Sequence, residues 1–251
     1  MQILFLIFMF ILGAAFGSFL CCQVRRQKSK THSKRSICLH CKKKLKWYDN
    51  IPIISWCILR GKCRSCHKKI GCLEIISELA TAAAFTIIGT TINVEATSPL
   101  GWLHFVTIIV LSLILIFLAI YDGMCGELPV SGLIFAVLFA GLAIIPDLVN
   151  NFSIQPFLSA ALFGGIYLTL YLISKGKWVG DGDWILSLAI GLALGHPWLA
   201  MIALFIANFS ACLIMYPIVK KHKNHQIYFG PFLVFAFVIT YTFSDFFLSM
   251  I

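Results

Sequence analysis

The chain has 251 residues, of which 60% are hydrophobic, 14% aromatic and only 12% charged, with 20 Lys and Arg set against 10 Asp and Glu. That balance excludes an ordinary soluble domain, in which about 25% of residues are charged, and equally a disordered chain, which has too little apolar content to be this composition. It predicts an all-α polytopic membrane protein.

In chain order, the first apolar run covers 3–22. No basic residue precedes it and no small-x-small cleavage pattern follows Cys22 before Arg25 and Arg26, so it reads as a retained anchor rather than a signal peptide. Residues 25–72 then form a polar loop with fifteen basic residues against the single acid Asp49. Anionic lipid is its expected partner, at about 1 kcal/mol per basic residue near the surface. Nucleic acid is not expected, because the charge flanks an anchor and carries no recognition-helix pattern.

Within the loop stand CLHC, Cys38 to Cys41, and CRSC, Cys63 to Cys66, with 21 residues between the pairs. Two such knuckles can close on one tetrahedral zinc ion, since each turn points two thiolates the same way. The competing reading is two disulfides or idle thiols, and a reducing cytoplasm disfavours the disulfides. His40 and His67, within and beside the knuckles, could each replace a thiolate. A closed site of Cys38, Cys41, Cys63 and Cys66 would be structural, folding a loop too small and too charged to have its own core. Cys21, Cys22, Cys57, Cys72, Cys125 and Cys212 lack pair spacing and read as small apolar fillers.

Apolar runs near the ~20 residues of a spanning helix follow at 73–93, 101–121, 129–147, 157–174, 197–219 and 228–250. The run 184–194 is shorter, and its length alone leaves it open. Lysine placement decides. After the loop, basic residues occur only at Lys175, Lys177, Lys220, Lys221 and Lys223, while the connections 94–100, 148–156 and 195–197 hold no lysine or arginine. If 184–194 spans, eight helices put every basic cluster on one face, the cytoplasmic one, with the N-terminus outside. The expected domains are a first transmembrane helix, 1–24, a basic zinc-binding loop domain between helices 1 and 2, 25–72, and a membrane catalytic bundle, 73–251.

That threading brings Asp122, which ends the third helix in DGMCGELP, and Asp183, which begins the sixth after GDGD, to the same cytoplasmic membrane boundary. Carboxylates at such depth are functional candidates by default. Helix capping would account for Asp181 or Asp183 alone. It does not account for Asp122 at a helix C-terminus, where the dipole disfavours negative charge. Two carboxylates brought close cannot both ionise; sharing one proton, they can act as base and acid on a water attacking a peptide bond. A proton-coupled transporter would use the same residues, but would hold its acids near the bilayer midplane in repeated, broken helices. A non-enzymatic scaffold stapled by zinc is the other alternative.

GSFL at 17–20, the paired CxxC, WYDNIPIISW at 47–56, LRGKC at 59–63, DGMCGELP, the GxGD form of Gly180 to Asp183, and FGPFL at 229–233 occur in that order. The set resembles the prepilin peptidases, or type IV leader peptidases, membrane aspartic proteases of the GxGD kind. The resemblance covers nearly the whole chain. It implies removal of a short basic leader, after a glycine, from type IV prepilin-like precursors at the cytoplasmic face of a bacterial cell membrane. It assigns Asp122 and Asp183 as the catalytic pair and leaves Asp181 in the variable position. In many members the same protein then methylates the new N-terminus from S-adenosylmethionine. The compact size is similar to that of members serving competence-type pseudopilins. Against the family pattern, Cys21 stands where GSFL is usually followed by asparagine, and Leu73, Glu74 and Ile75 replace the usual residues before Glu78. These changes bear on methylation rather than on cleavage, and no glycine-rich loop for a nucleotide-like cofactor is present.

Overall fold

The computed structural model describes residues 2–29, 37–38, 40–90, 98–150, 152–221 and 228–251. Parts of the basic loop, most of the 94–100 connection and Lys223 therefore lie outside the described residues. The chain falls into two compact units, Met1–Thr90 and Thr91–Ile251.

In the first unit, α1 (Gln2–Ser29) is followed by a single 3-10 turn (Trp47–Asn50), the short α2 (Ile54–Ile58) and α3 (Leu73–Thr90). Helices α1 and α3 pack antiparallel through glycines. A Cβ at Gly13 would stand 2.7 Å from the Thr81 carbonyl oxygen, and one at Gly17 2.6 Å from that of Ser77. Two glycines four residues apart leave a flat stripe along α1, and backbones can approach closely there without a hydrophobic drive between helices. The glycine of GSFL is thus a packing residue. Helix α3 belongs to the same compact unit as α1.

The second unit contains α4 (Pro99–Cys125), α5 (Val130–Ala143), α6 (Ile145–Asn150), α7 (Gln155–Ser174), α8 (Asp183–Leu194), α9 (Pro197–Lys221), α10 (Gly230–Thr242) and α11 (Ser244–Leu248). No strand forms among the described residues. Helix α8 sits inside the bundle against α7, α5 and α10. It is apolar around its whole circumference, as a helix buried on all sides must be. Its glycine backbone meets α7 directly: a Cβ at Gly191 would stand 2.8 Å from the Ser159 carbonyl oxygen, and the Ser159 hydroxyl donates to the Gly191 carbonyl oxygen at 2.6 Å. The 160/191 and 164/188 contacts make α7 and α8 antiparallel.

Six of the described helices are long and apolar enough to cross a membrane, giving a multi-pass membrane protein. Two of the about eight expected helices are shorter than a full span. Helix α8 has only 12 residues, about 18 Å at 1.5 Å per residue. The expected 228–250 helix breaks at Phe243 into α10 and α11. The 129–147 run is likewise interrupted at Ile144, and continues to Asn150. Pro146 and Asp147 follow the break at Ile144, and Ser244 and Asp245 follow the one at Phe243, so short polar and proline marks accompany both breaks.

Candidate active site and metal centre

Asp122 lies in the last turn of α4 and is 6% exposed. The C-terminal end of a helix is unfavourable for a carboxylate, yet a second helix offsets it. Asp122 Oδ2 accepts the backbone N–H of Gly230, at the N-terminal end of α10, at 2.9 Å. The donor is 108 residues away in sequence. The positive end of α10 therefore faces the acid, and the position of Asp122 is stabilised in a way its own helix could not show. A Cβ at 230 would stand 2.9 Å from Asp122 Oδ2, so any larger residue there displaces the carboxylate or the start of α10. The Gly-Pro pair opening an apolar run is the sequence signal for this helix start.

Asp183 opens α8 and is 8% exposed, while Asp181 is exposed. Neither caps the helix. The N-cap is Gly182, without a side-chain cap bond, and Asp183 Oδ2 accepts the N–H of Gly180 at 3.0 Å. The first and last residues of GDGD thus clamp one another. The middle glycine brings the loop against the segment after α4, since a Cβ at Gly182 would stand 2.7 Å from the Leu128 Cβ. Through that contact the start of α8 adjoins the end of α4, and Asp183 lies within electrostatic reach of Asp122. Each acid is buried, and each is held by one glycine N–H. Gly123, beside Asp122, is exposed, and the nearest atom to a Cβ there is Pro231 Cγ at 3.9 Å, which leaves open space next to the acid.

Behind the pair stands Tyr167 of α7, 2% exposed. Its ring packs on Phe229 with centroids 5.5 Å apart, and its hydroxyl accepts from Asn208 Nδ2 at 3.0 Å. Phe229 directly precedes the glycine that holds Asp122. Sequence reasoning did not single out Tyr167 or Asn208, and an isolated tyrosine and asparagine in apolar helices give little signal beyond their polarity.

In the first unit the four Sγ atoms of Cys38, Cys41, Cys63 and Cys66 all lie within 4.8 Å of one another, and none is in a disulfide. Cys38 Sγ and Cys66 Sγ are 3.9 Å apart, close to the roughly 3.8 Å edge of a tetrahedron with Zn–S bonds of ~2.3 Å. His40 and His67 are not part of the cluster. The two knuckles repeat one backbone design, 25 positions apart: the N–H of Cys38 meets the Lys43 carbonyl as that of Cys63 meets Lys68, and antiparallel bridges join Ile37 to Lys44 and Lys62 to Lys69. The N–H groups of Cys66 and Ser65 draw the Cys63 thiol down to about 6. The Lys68 N–H also pulls Cys66 down, but burial and the neighbouring thiols outweigh it and leave that group at about 11. Four thiolates cannot gather here without a compensating cation, so the residues present fit a zinc ion. Asp49, the loop's single acid, is tied to the second knuckle: Arg64 donates to its Oδ1 at 2.9 Å and stacks over Tyr48.

Residues 11–92 match the family description Bacterial Peptidase A24 N-terminal domain. The chain is 32% identical over 205 residues to a prepilin leader peptidase/N-methyltransferase of Klebsiella pneumoniae, covering 75% of this chain and 84% of that one. It is 29% identical over 216 residues to a protein of the same name from Vibrio cholerae, covering 83% and 81%. A type 4 prepilin-like proteins leader peptide-processing enzyme of Escherichia coli is 29% identical over 213 residues, covering 82% and 74%. No solved structure matches.

Proposed function

Because the chain belongs to the prepilin leader peptidase family, we propose that it is a membrane aspartic endopeptidase that removes the short basic leader of type IV prepilin-like precursors, with Asp122 and Asp183 as its catalytic pair. The observation that carries this reading is the arrangement of the two acids: both buried, each accepting one glycine N–H, on adjoining helix ends beside open space at Gly123. One acid is ionised and one neutral. The carboxylate takes a proton from water as the water oxygen bonds to the scissile carbonyl carbon, and the neutral acid protonates the carbonyl oxygen; the newly protonated acid then gives its proton to the amide nitrogen as the C–N bond breaks, and the other carboxylate regains its proton from a gem-diol hydroxyl. The glycine N–H groups fix one oxygen of each acid and leave the other for water and substrate.

The acids lie at the cytoplasmic membrane face in this reading. Lys175 and Lys177 follow α7, Lys220 stands at the end of α9, and Asp122 and Asp183 lie at helix ends on the same level if α8 reverses the chain. The antiparallel packing of α7 and α8 supports that reversal, although α8 is short. Zinc held by Cys38, Cys41, Cys63 and Cys66 would supply folding energy to the basic loop and take no part in hydrolysis. Methylation of the new N-terminus is proposed on the names of the relatives.

The test is cleavage of a prepilin-like precursor by the full chain in membranes at matched protein levels. Asp122→Asn and Asp183→Asn each abolish cleavage, whereas Asp181→Asn retains it. Normal cleavage by either of the first two removes the pair.

A further inference from the structure

Helix α2 (Ile54–Ile58) has two faces. Ser55 and Trp56, with Leu59 just beyond the helix, turn inward and line the space between α1 and the start of α3. The opposite face is Ile54, Cys57 and Ile58, spaced i, i+3 and i+4 so that they lie together. Ile54 is 56% exposed and Ile58 70%, and Cys57 is exposed and in no disulfide. Trp47, in the 3-10 turn that packs against α2, is 79% exposed. Neighbouring large apolar side chains left uncovered within a polar loop mark a contact surface. Neither the two buried aspartates nor the thiol cluster uses any of these residues.

Depth decides what covers this face. The N–H of Ile53, the residue before α2, donates to Glu78 Oε2 at 2.7 Å. Glu78 is buried, five residues after the first residue of α3, and so about 7.5 Å along that helix at 1.5 Å per residue. Helix α3 is one of those long and apolar enough to cross a membrane, and its 18 residues span about 27 Å. Crossing a hydrocarbon core of ~30 Å therefore takes its whole length. The bond to Glu78 thus holds the start of α2 within the thickness of the membrane. Charge points the same way. The 25–72 loop has fifteen basic residues and one acid, Asp49, which Arg64 engages. Lys46, Arg60 and Lys62, close in sequence to the apolar face, are exposed. An apolar helix face rimmed by basic residues is the pattern of a helix lying in an anionic interface. The other candidate occupant is a precursor with a basic leader, and this charge repels it.

We propose that α2 is an interfacial docking element: Ile54, Cys57 and Ile58 enter the acyl region of the leaflet at which α1 ends and α3 begins, while the basic residues around them meet anionic phospholipid headgroups. Attraction of a basic loop to anionic lipid would by itself put no side chain below the headgroups, and the apolar face supplies that contact. The proposal goes beyond leader removal and needs neither Asp122 nor Asp183. The second knuckle follows α2 directly, and its entry is bonded to the helix by the N–H of Gly61 on the Trp56 carbonyl and that of Lys62 on the Leu59 carbonyl, both at 3.0 Å. Insertion of α2 therefore sets the height of the thiol cluster above the membrane.

The experiment uses the full chain in lipid nanodiscs of equal parts phosphatidylcholine and phosphatidylglycerol, open to reagents on both faces. The photoreactive p-benzoylphenylalanine is placed at Ile54, at Ile58 or, as a control on the second knuckle, at Lys68. Adducts formed on irradiation are identified by mass spectrometry, with a prepilin-like precursor present and absent. Positions 54 and 58 give about tenfold more phospholipid adduct than position 68, as a face buried ~5–10 Å into the interface requires, and phosphatidylglycerol exceeds its half share among the adducts. Native Cys57 provides a measurement without any substitution: in the unmodified chain it reacts with N-ethylmaleimide in preference to a sulfonated maleimide, and denaturation abolishes the preference. The proposal is overturned by lipid adducts no more frequent at 54 and 58 than at 68, by phosphatidylglycerol at or below its half share, by adducts to the precursor or a second copy in place of lipid, or by no preference at Cys57 in nanodiscs. The same lipid contact is expected of Asp122→Asn, so failure of the peptidase reading leaves it standing.

Discussion

Replacing Gly230 by alanine tests whether the hold on Asp122 matters, with the smallest change available. The added Cβ would stand 2.9 Å from Asp122 Oδ2, 3.2 Å from its Cβ and 3.4 Å from its Cγ. Carbon and oxygen in close contact lie at about 3.3–3.6 Å, so the carboxyl group or the start of α10 has to move by about half an ångström, and the 2.9 Å N–H bond lengthens with it. Misplacement by ~1 Å at a reacting group can reduce a rate 100-fold. A fall in kcat of about 10- to 100-fold is therefore expected, or roughly 1.4–2.7 kcal/mol in the barrier. Alanine is a better helix former than glycine by up to ~1 kcal/mol, so a loss of activity could not be assigned to a weakened helix. Gly123→Ala is the matched control beside the same acid. Its Cβ meets nothing nearer than Pro231 Cγ at 3.9 Å, and the apo structure accommodates it. Initial rates of leader removal in detergent, with thermal unfolding of the same preparations, decide the matter. Gly230→Ala cleaving at the wild-type rate would refute the reasoning, because the carboxylate would then be free to sit elsewhere without consequence.

Further outcomes follow from the same contacts. Tyr167→Phe keeps the ring against Phe229 and removes only the acceptor for Asn208, so cleavage falls a few-fold at most; Tyr167→Ala also opens a cavity behind Phe229, costing about 3–5 kcal/mol and lowering the melting temperature along with activity. The purified chain holds about one zinc per molecule, and Cys38→Ser with Cys66→Ser loses both the metal and the protease resistance of 25–72, as measured by elemental analysis and limited proteolysis; metal-free wild type prepared without chelator would count against the site. Gly17→Leu forces a side chain into the Ser77 carbonyl and the Glu78 Cα, so α1 and α3 separate, and increased proteolysis within residues 1–90 follows while the 91–251 unit keeps its resistance.

What could be read from the sequence differs between the two units for physical reasons. The paired CxxC spacing passes directly into a cluster of four thiols, because the knuckle is a local turn and its geometry needs only a few consecutive residues. The apolar runs pass into helices for the same reason, apart from the interruptions at Ile144 and Phe243, which Pro146 and Asp147 and then Ser244 and Asp245 follow within otherwise apolar runs. The short length of α8 was legible, and its burial explains why it need not match a bilayer by itself.

The setting of Asp122 was not legible, because its partner is the backbone of a residue 108 positions later. Read along α4 alone, an acid in the last turn is misplaced against the helix dipole, and that misplacement pointed to function. In the folded unit the N-terminal end of α10 removes part of the electrostatic penalty, so the dipole argument weakens. What remains is stronger. Any residue larger than glycine at 230 displaces the carboxylate or the start of α10, and the preceding Phe229 is held by Tyr167, which Asn208 of α9 holds in turn. Three helices thus converge on the orientation of one acid, while the second is clamped locally by Gly180 of its own loop. A helix packed only for stability has no need to position a carboxylate in this way when an apolar side chain at 122 would avoid its desolvation altogether.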